Sequence, residues 1–134
     1  MLPAILSLTL LLSAAQEAPP GPEALAQGQL EAYNAQDIEA FAAFYAEDVE
    51  VYNLPDGSKP STRGIAAFRE NYGRLFARPE ETRIRCEVTN RLVQGAFVFD
   101  QEECFVGDSE EPAMGVVAIY ETGDGKIKRV WFAR

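Results

Sequence analysis

The sequence predicts an α+β domain in which three helices, with one short strand among them, pack on a strongly curved antiparallel sheet. Apolar residues recur at spacings of three and four as far as Phe76, and after Pro79 the spacing switches to two. Composition adds a third indication. A chain of 134 residues, 47% hydrophobic and 25% charged, has room for one sizeable core and little else.

The first fifteen residues, "MLPAILSLTLLLSAA", read as an export signal. Leu2 to Leu12 is apolar but short for a bilayer span, and Ser13-Ala14-Ala15 offers small residues for cleavage. Residues 16–22 are proline-rich and are expected to form a mobile linker, leaving 23–134 as the domain. The protein is therefore expected to be exported, periplasmic or secreted, with no membrane attachment once the signal is removed.

Helical spacing begins at Pro22 and returns Leu25, Gln29, Leu30 and Tyr33 to one side. "NAQD" breaks it, and Asp37 is placed to cap a second short helix carrying Ile38, Phe41, Phe44 and Tyr45. The strand "VEVYN" sets Val49 and Val51 on one face and delivers Asn53 just before a turn on Pro55 and Gly57. Thr62 is the expected cap of a third helix, with Ile65, Phe68, Tyr72, Leu75 and Phe76 as its apolar stripe.

In "TRIRCEVTNRLV" the inward set is Ile84, Cys86, Val88, Asn90 and Leu92. A turn at Gln94-Gly95 then places Phe97, Phe99, Gln101, Glu103 and Phe105 opposite that face, with Asp100, Glu102 and Cys104 on the other. In this register Cys86 meets Glu103 and not Cys104. A bulge would change the parity, so the two cysteines are either bonded or half-buried thiols. "GDGK" is a tight turn between the last two strands, "AMGVVAIYET" and "IKRVWFAR".

Several functions fall away on charge and composition. A net charge of −9 argues against nucleic acid and anionic membranes as partners. With no histidine in the chain, imidazole bases and histidine-based metal sites are excluded. "GDGK" lacks the spacing and following helix of a phosphate loop, and Glu80-Glu81 and Glu110-Glu111 are loop charges. Neither a metal nor a cofactor is expected.

The phrases "AYNAQDIEAFAAFYAEDVEVYN", "RGIAAFRENY", "NRLVQGAFVFDQEE" and "ETGDGKIKRVWF" together resemble the nuclear transport factor 2-like superfamily, in its SnoaL-like and ketosteroid-isomerase-like branches. The resemblance covers nearly everything from Leu25 to Arg134. It implies a cone, with the bent sheet wrapped on helices around a pocket, and a homodimer through the outer sheet face. It also puts the isomerase base at Asn53, its tyrosine near Gln29 and its acid near Val117. Asparagine accepts no proton at neutral pH, so the isomerase mechanism is not supported. The limonene-epoxide-hydrolase-like branch would place an asparagine at Asn53 and a carboxylate at Glu103. Its tyrosine, arginine and second acid fall on Val51, Gln101 and near Phe132, so its paired acid and base are missing.

The residues thus expected at a pocket are Asn53, Gln101, Asn90, Phe99, Val51, Tyr72 and Val117, with Glu103 the candidate catalytic group. A carboxylate among inward phenylalanines would have a raised pKa. Two functions follow. One is a non-catalytic exported protein that binds a small, largely apolar molecule in its pocket or serves mainly as a dimeric interaction module. The other is a small cofactor-independent enzyme of isomerase, cyclase or hydrolase type, using Glu103 with Asn53 and Gln101.

Overall fold

The computed structural model describes residues 18–134. The expected export signal and the start of the expected linker lie outside the described residues. Helix α1 spans Pro22–Asn34, α2 Ile38–Ala42 and α3 Ile65–Phe76. The strands are β1 (Tyr45–Asn53), β2 (Thr62–Arg63), β3 (Ile84–Gln94), β4 (Phe97–Val106), β5 (Met114–Gly123) and β6 (Lys126–Ala133). They form one six-stranded sheet in the order β2-β1-β6-β5-β4-β3, antiparallel throughout except that β1 runs parallel to β6. The expected α+β class holds, with a mixed sheet.

Pro22, assigned by sequence to the linker, opens α1, where a missing N–H costs nothing. Pro19 and Pro20 lie against the turn at Gly125. Asp37 caps α2 as expected, its Oδ1 accepting from the Ala40 N–H at 3.1 Å. That helix ends at Ala42, because Phe44 and Tyr45 turn into the sheet. Thr62 does not cap α3. It sits in β2, its hydroxyl accepts from the Asn71 side chain at 3.0 Å, and Gly64 takes the cap position at φ 85°.

The core joins the helices to the inward face of β1, β4, β5 and β6. Phe41 and Phe68 stack with centroids 5.4 Å apart, and Leu25, Val49, Val98, Ile127 and Val130 are fully buried around them. Burial of each such side chain stabilises the fold by roughly 1.5–3 kcal/mol. Gly28 fits the Phe44 ring against α1, since a Cβ there would stand 2.5 Å from two ring carbons.

The β3–β4 hairpin departs from the expected register at two points. Its turn is Gly95-Ala96, so Gln94 pairs with Phe97. Nearer the open end a bulge leaves Thr89 unpaired, and beyond it Val88 faces Glu102 and Cys86 faces Cys104. The single extra residue inverts the parity between the strands. Ile84, Cys86 and Val88 point inward as expected, but on β4 the inward residues are Val98, Asp100, Glu102 and Cys104. Phe97, Phe99, Gln101 and Glu103 belong to the outer face, the reverse of the expectation. Past the bulge Arg91 turns inward, while Asn90 and Leu92 face out.

Candidate functional site

Where the curved sheet separates from α1 and α3 it leaves a cavity of about 300 Å³. Six aromatic rings line it: Tyr33, Phe41, Tyr45, Tyr72, Tyr120 and Phe132. Leu30, Leu75, Ile84 and Val116 complete the apolar wall. Tyr33 and Phe76 meet edge to face at 5.3 Å, and Tyr72 packs on Phe41 at 4.8 Å, so the aromatic wall is held from behind. The exposed members Arg78, Met114 and Arg134 mark the mouth.

One wall is a disulfide. Cys86 and Cys104 are bonded across the β3–β4 ladder, both buried and both facing the cavity. A buried disulfide fits an oxidising, extracytoplasmic compartment. The Glu102 carboxylate and the two sulfurs lie within 4.8 Å of one another, but the sulfurs are spent on each other and leave no thiolate to ligate a metal.

The deep end of the cavity is polar and ordered. Gln29, 4% exposed, accepts from the Tyr45 hydroxyl at 2.8 Å through Oε1. Its Nε2 donates to the Tyr120 hydroxyl at 2.9 Å and to the Ala26 carbonyl at 3.0 Å. Burial raises the pKa of Tyr45, Tyr72 and Tyr120 and pushes Tyr33 up to about 12, so all four phenols are neutral at physiological pH.

Glu102 is the group that titrates near neutrality. It is 6% exposed, and its Oε1 is buried without a hydrogen-bond partner among the described residues. Desolvation raises its pKa from 4.5 to about 7. Nearby Asp100 pushes the same way, against the Arg91 guanidinium and the Tyr120 hydroxyl, which lower it. Asp100 itself is fully buried but paired to Arg91 at 2.7 Å. Glu102 thus stands as a carboxyl facing an aromatic cavity at the pH where it can either donate or accept a proton.

Of the residues expected at a pocket, Tyr72 lines this cavity. Val51 is buried in the core but does not reach the cavity. Asn53 keeps the inward parity of Val51, yet as the last residue of β1 it is exposed and outside the cavity. Glu103, Gln101 and Val117 lie on the outer face around a shallow depression, all exposed, and Asn90 is exposed on the same side. Phe99 is half-buried in the outer row. The acid of the cavity is therefore Glu102 and not Glu103, because the Thr89 bulge moved the inward face of β4 by one residue. The resemblance placed a site position near Gln29, which does line the cavity, but sequence reasoning missed Tyr33, Tyr120, Arg78 and Arg134 as wall residues. A single signal pointed the right way. A bond between Cys86 and Cys104 puts Glu102, two residues from Cys104, on the same inward face.

A cone of helices and bent sheet around an aromatic cavity defines a class of small pocket domains. The chain belongs to the SnoaL-like domain family, whose profile matches residues 26–130. Among solved structures it resembles an uncharacterised cystatin-fold protein from Novosphingobium aromaticivorans, at 24% identity and a TM-score of 0.73, with 86% of this chain and 99% of that one covered. A nuclear transport factor 2-like protein of unknown function from Cytophaga hutchinsonii is similar at 10% identity and a TM-score of 0.68, with 87% and 92% covered. A chain from Kribbella flavida, provisionally named a ketosteroid isomerase, shares 27% identity at a TM-score of 0.66, with 82% and 74% covered. A search of curated proteins returns no match.

Proposed function

We propose that this protein binds a small, largely apolar molecule in its cavity, with Glu102 holding the polar end. The observation that carries the reading is the buried Glu102 carboxyl, its Oε1 without a hydrogen-bond partner among the described residues, in a wall made mostly of rings and aliphatic side chains. Apolar pockets with a few convergent polar groups are the common form of small-molecule sites. Native mass spectrometry of the protein purified from its own host tests it. A retained small molecule, lost when Leu30→Trp fills the cavity, supports the reading. No retained mass, together with no binding of neutral naphthol by either form, sinks it.

Catalysis is the second reading, and it rests on Glu102 alone. A carboxyl with a pKa near 7 is suited to moving a proton at neutral pH. A turnover that disappears in Glu102→Gln while ligand binding survives would favour it. Glu103, Asn53 and Gln101 do not serve this reading, since their side chains lie outside the cavity.

The proposal extends to location and assembly. The disulfide and the apolar run Leu2 to Leu12 support export to the periplasm or beyond. The outer sheet face supports a homodimer. Leu92, Phe99, Ile119, Trp131 and Tyr52 are successive register partners across five strands and make a continuous apolar row there. The adjoining row, where Arg129 pairs with Glu50 and Glu121, is charged. Light scattering that gives a monomer mass at micromolar concentration would remove the dimer.

A further inference from the structure

We propose that the ligand is an amphipathic anion, bound with its carboxylate at the mouth between Arg78 and Arg134 and with a hydroxyl or carbonyl end directed at Glu102. This rests on the pocket reading above and adds the ligand's charge and orientation.

The first support is the state of the two arginines. The chain carries twelve basic side chains against twenty-one acidic ones. Seven of the twelve are in ion pairs: Arg63, Arg69, Arg74, Arg85, Arg91, Lys128 and Arg129. In so acidic a chain a guanidinium has no shortage of carboxylates to meet. Among the described residues Arg78, Arg83 and Arg134 meet none, and of these three Arg78 and Arg134 line the cavity. Their field reaches inside it, where both oppose the upward shift of the Tyr33 hydroxyl. Arg134 also lies over the Phe132 ring, its guanidinium carbon 5.6 Å from the centroid, which holds it at the rim.

The second support is the polarity of the cavity along its depth. The two guanidinium groups are exposed members of the lining, while the rings are buried or half-buried and Glu102 is its buried carboxyl, with Asp100 near it. A carboxylate pointed inward would meet like charge in a poorly solvated place. Pointed outward it meets two guanidinium forks, whose planar donors match a carboxylate. The inner end must then suit Glu102, which accepts from a hydroxyl when ionised and donates to a carbonyl when protonated. The net charge of −9 repels anions at long range, so the local pair at the mouth would also select where an anion can approach.

Calorimetric titration of the full chain with three probes tests this: a hydroxynaphthoate with hydroxyl and carboxylate at opposite ends, its methyl ester, and the naphthoate lacking the hydroxyl. The hydroxy acid should bind about tenfold tighter than its ester, the usual scale of a charge-assisted contact. Arg78→Gln and Arg134→Gln should each remove most of that ratio, and an unchanged circular dichroism spectrum and melting temperature show that the fold is intact. Lys59→Gln, a same-sized charge change outside the cavity, should leave the ratio alone. Loss of the hydroxyl should weaken binding in wild type and not in Glu102→Leu. An ester that binds as tightly as the acid, or a ratio untouched by either arginine change, overturns the proposal and leaves the pocket reading standing. Failure of all three probes to bind overturns both.

Discussion

Arg91 grips Asp100 through two parallel hydrogen bonds, Nε to Oδ1 at 2.7 Å and Nη2 to Oδ2 at 2.9 Å, directly across the β3–β4 ladder. Asp100 has no exposed surface, and Arg91 reaches Gln27 of α1 with its remaining Nη1. The pair neutralises one of two inward acids on β4 and leaves Glu102 as the other. Breaking it should be costly, because a buried charge without its partner is far worse than no charge. Arg91→Gln should lower stability by about 3–5 kcal/mol in urea denaturation. Arg91→Met combined with Asp100→Leu should recover most of that loss, and equal losses in single and double variants would contradict the assignment.

Glu102 should make stability fall as pH rises. Its folded pKa of about 7 lies above the ordinary 4.5, so between these values the native chain holds a proton that the unfolded chain has released. Its contribution is complete below about pH 4.5 and is lost as pH approaches 7. The full difference is at most roughly 3 kcal/mol. Asp100 reinforces the effect, and Arg91 and Tyr120 oppose it. Relative to Glu102→Gln, wild type should lose that amount between the two pH values and change little above pH 8. A constant difference between the two proteins would show an ordinary carboxyl.

The disulfide closes a segment with a sequence separation of 18 between its ends. Restricting the unfolded chain over such a loop is worth about 3 kcal/mol. Cys86→Ala with Cys104→Ala should lose about that much. A thiol reductant should destabilise wild type similarly and leave the double variant unaffected. Thermal melts with and without reductant make the comparison.

Gln29 joins two buried phenols, and its loss should strand one of them. In Gln29→Leu the Tyr45 hydroxyl has no acceptor, and the Tyr120 hydroxyl loses its donor, for a cost of about 2 kcal/mol. Tyr45→Phe alone removes the same Tyr45–Gln29 bond. The double variant should therefore cost clearly less than the sum of the singles. Simple additivity would mean that the network is not coupled.

Much of the architecture was legible because periodicity is local. Leu25, Leu30 and Phe68 are found where helical spacing puts them, and Val49, Val51, Cys86 and Val88 where alternation does. The "GDGK" turn was readable for the same reason. Asp124 and Gly125 both take positive φ, 54° and 72°, as a two-residue hairpin turn requires. The site was less legible. Arg78 and Arg134 lie far apart in the chain, and only the closing of the cone brings them to one mouth.

The sequence by itself determined the family, the order of helices and strands, and the aromatic character of the interior. The tertiary structure decided which carboxyl faces the cavity. Side chains on a strand alternate with a period of two, so one unpaired residue exchanges inside for outside along the rest of the pairing. Nothing local to Thr89 marks it as that residue. The bulge is held by what it aligns at a distance: Cys86 with Cys104 on one side, and Arg91 with Asp100 on the other. Those contacts exist only in the folded hairpin, and through them Glu102 lies at the cavity and Glu103 at the surface.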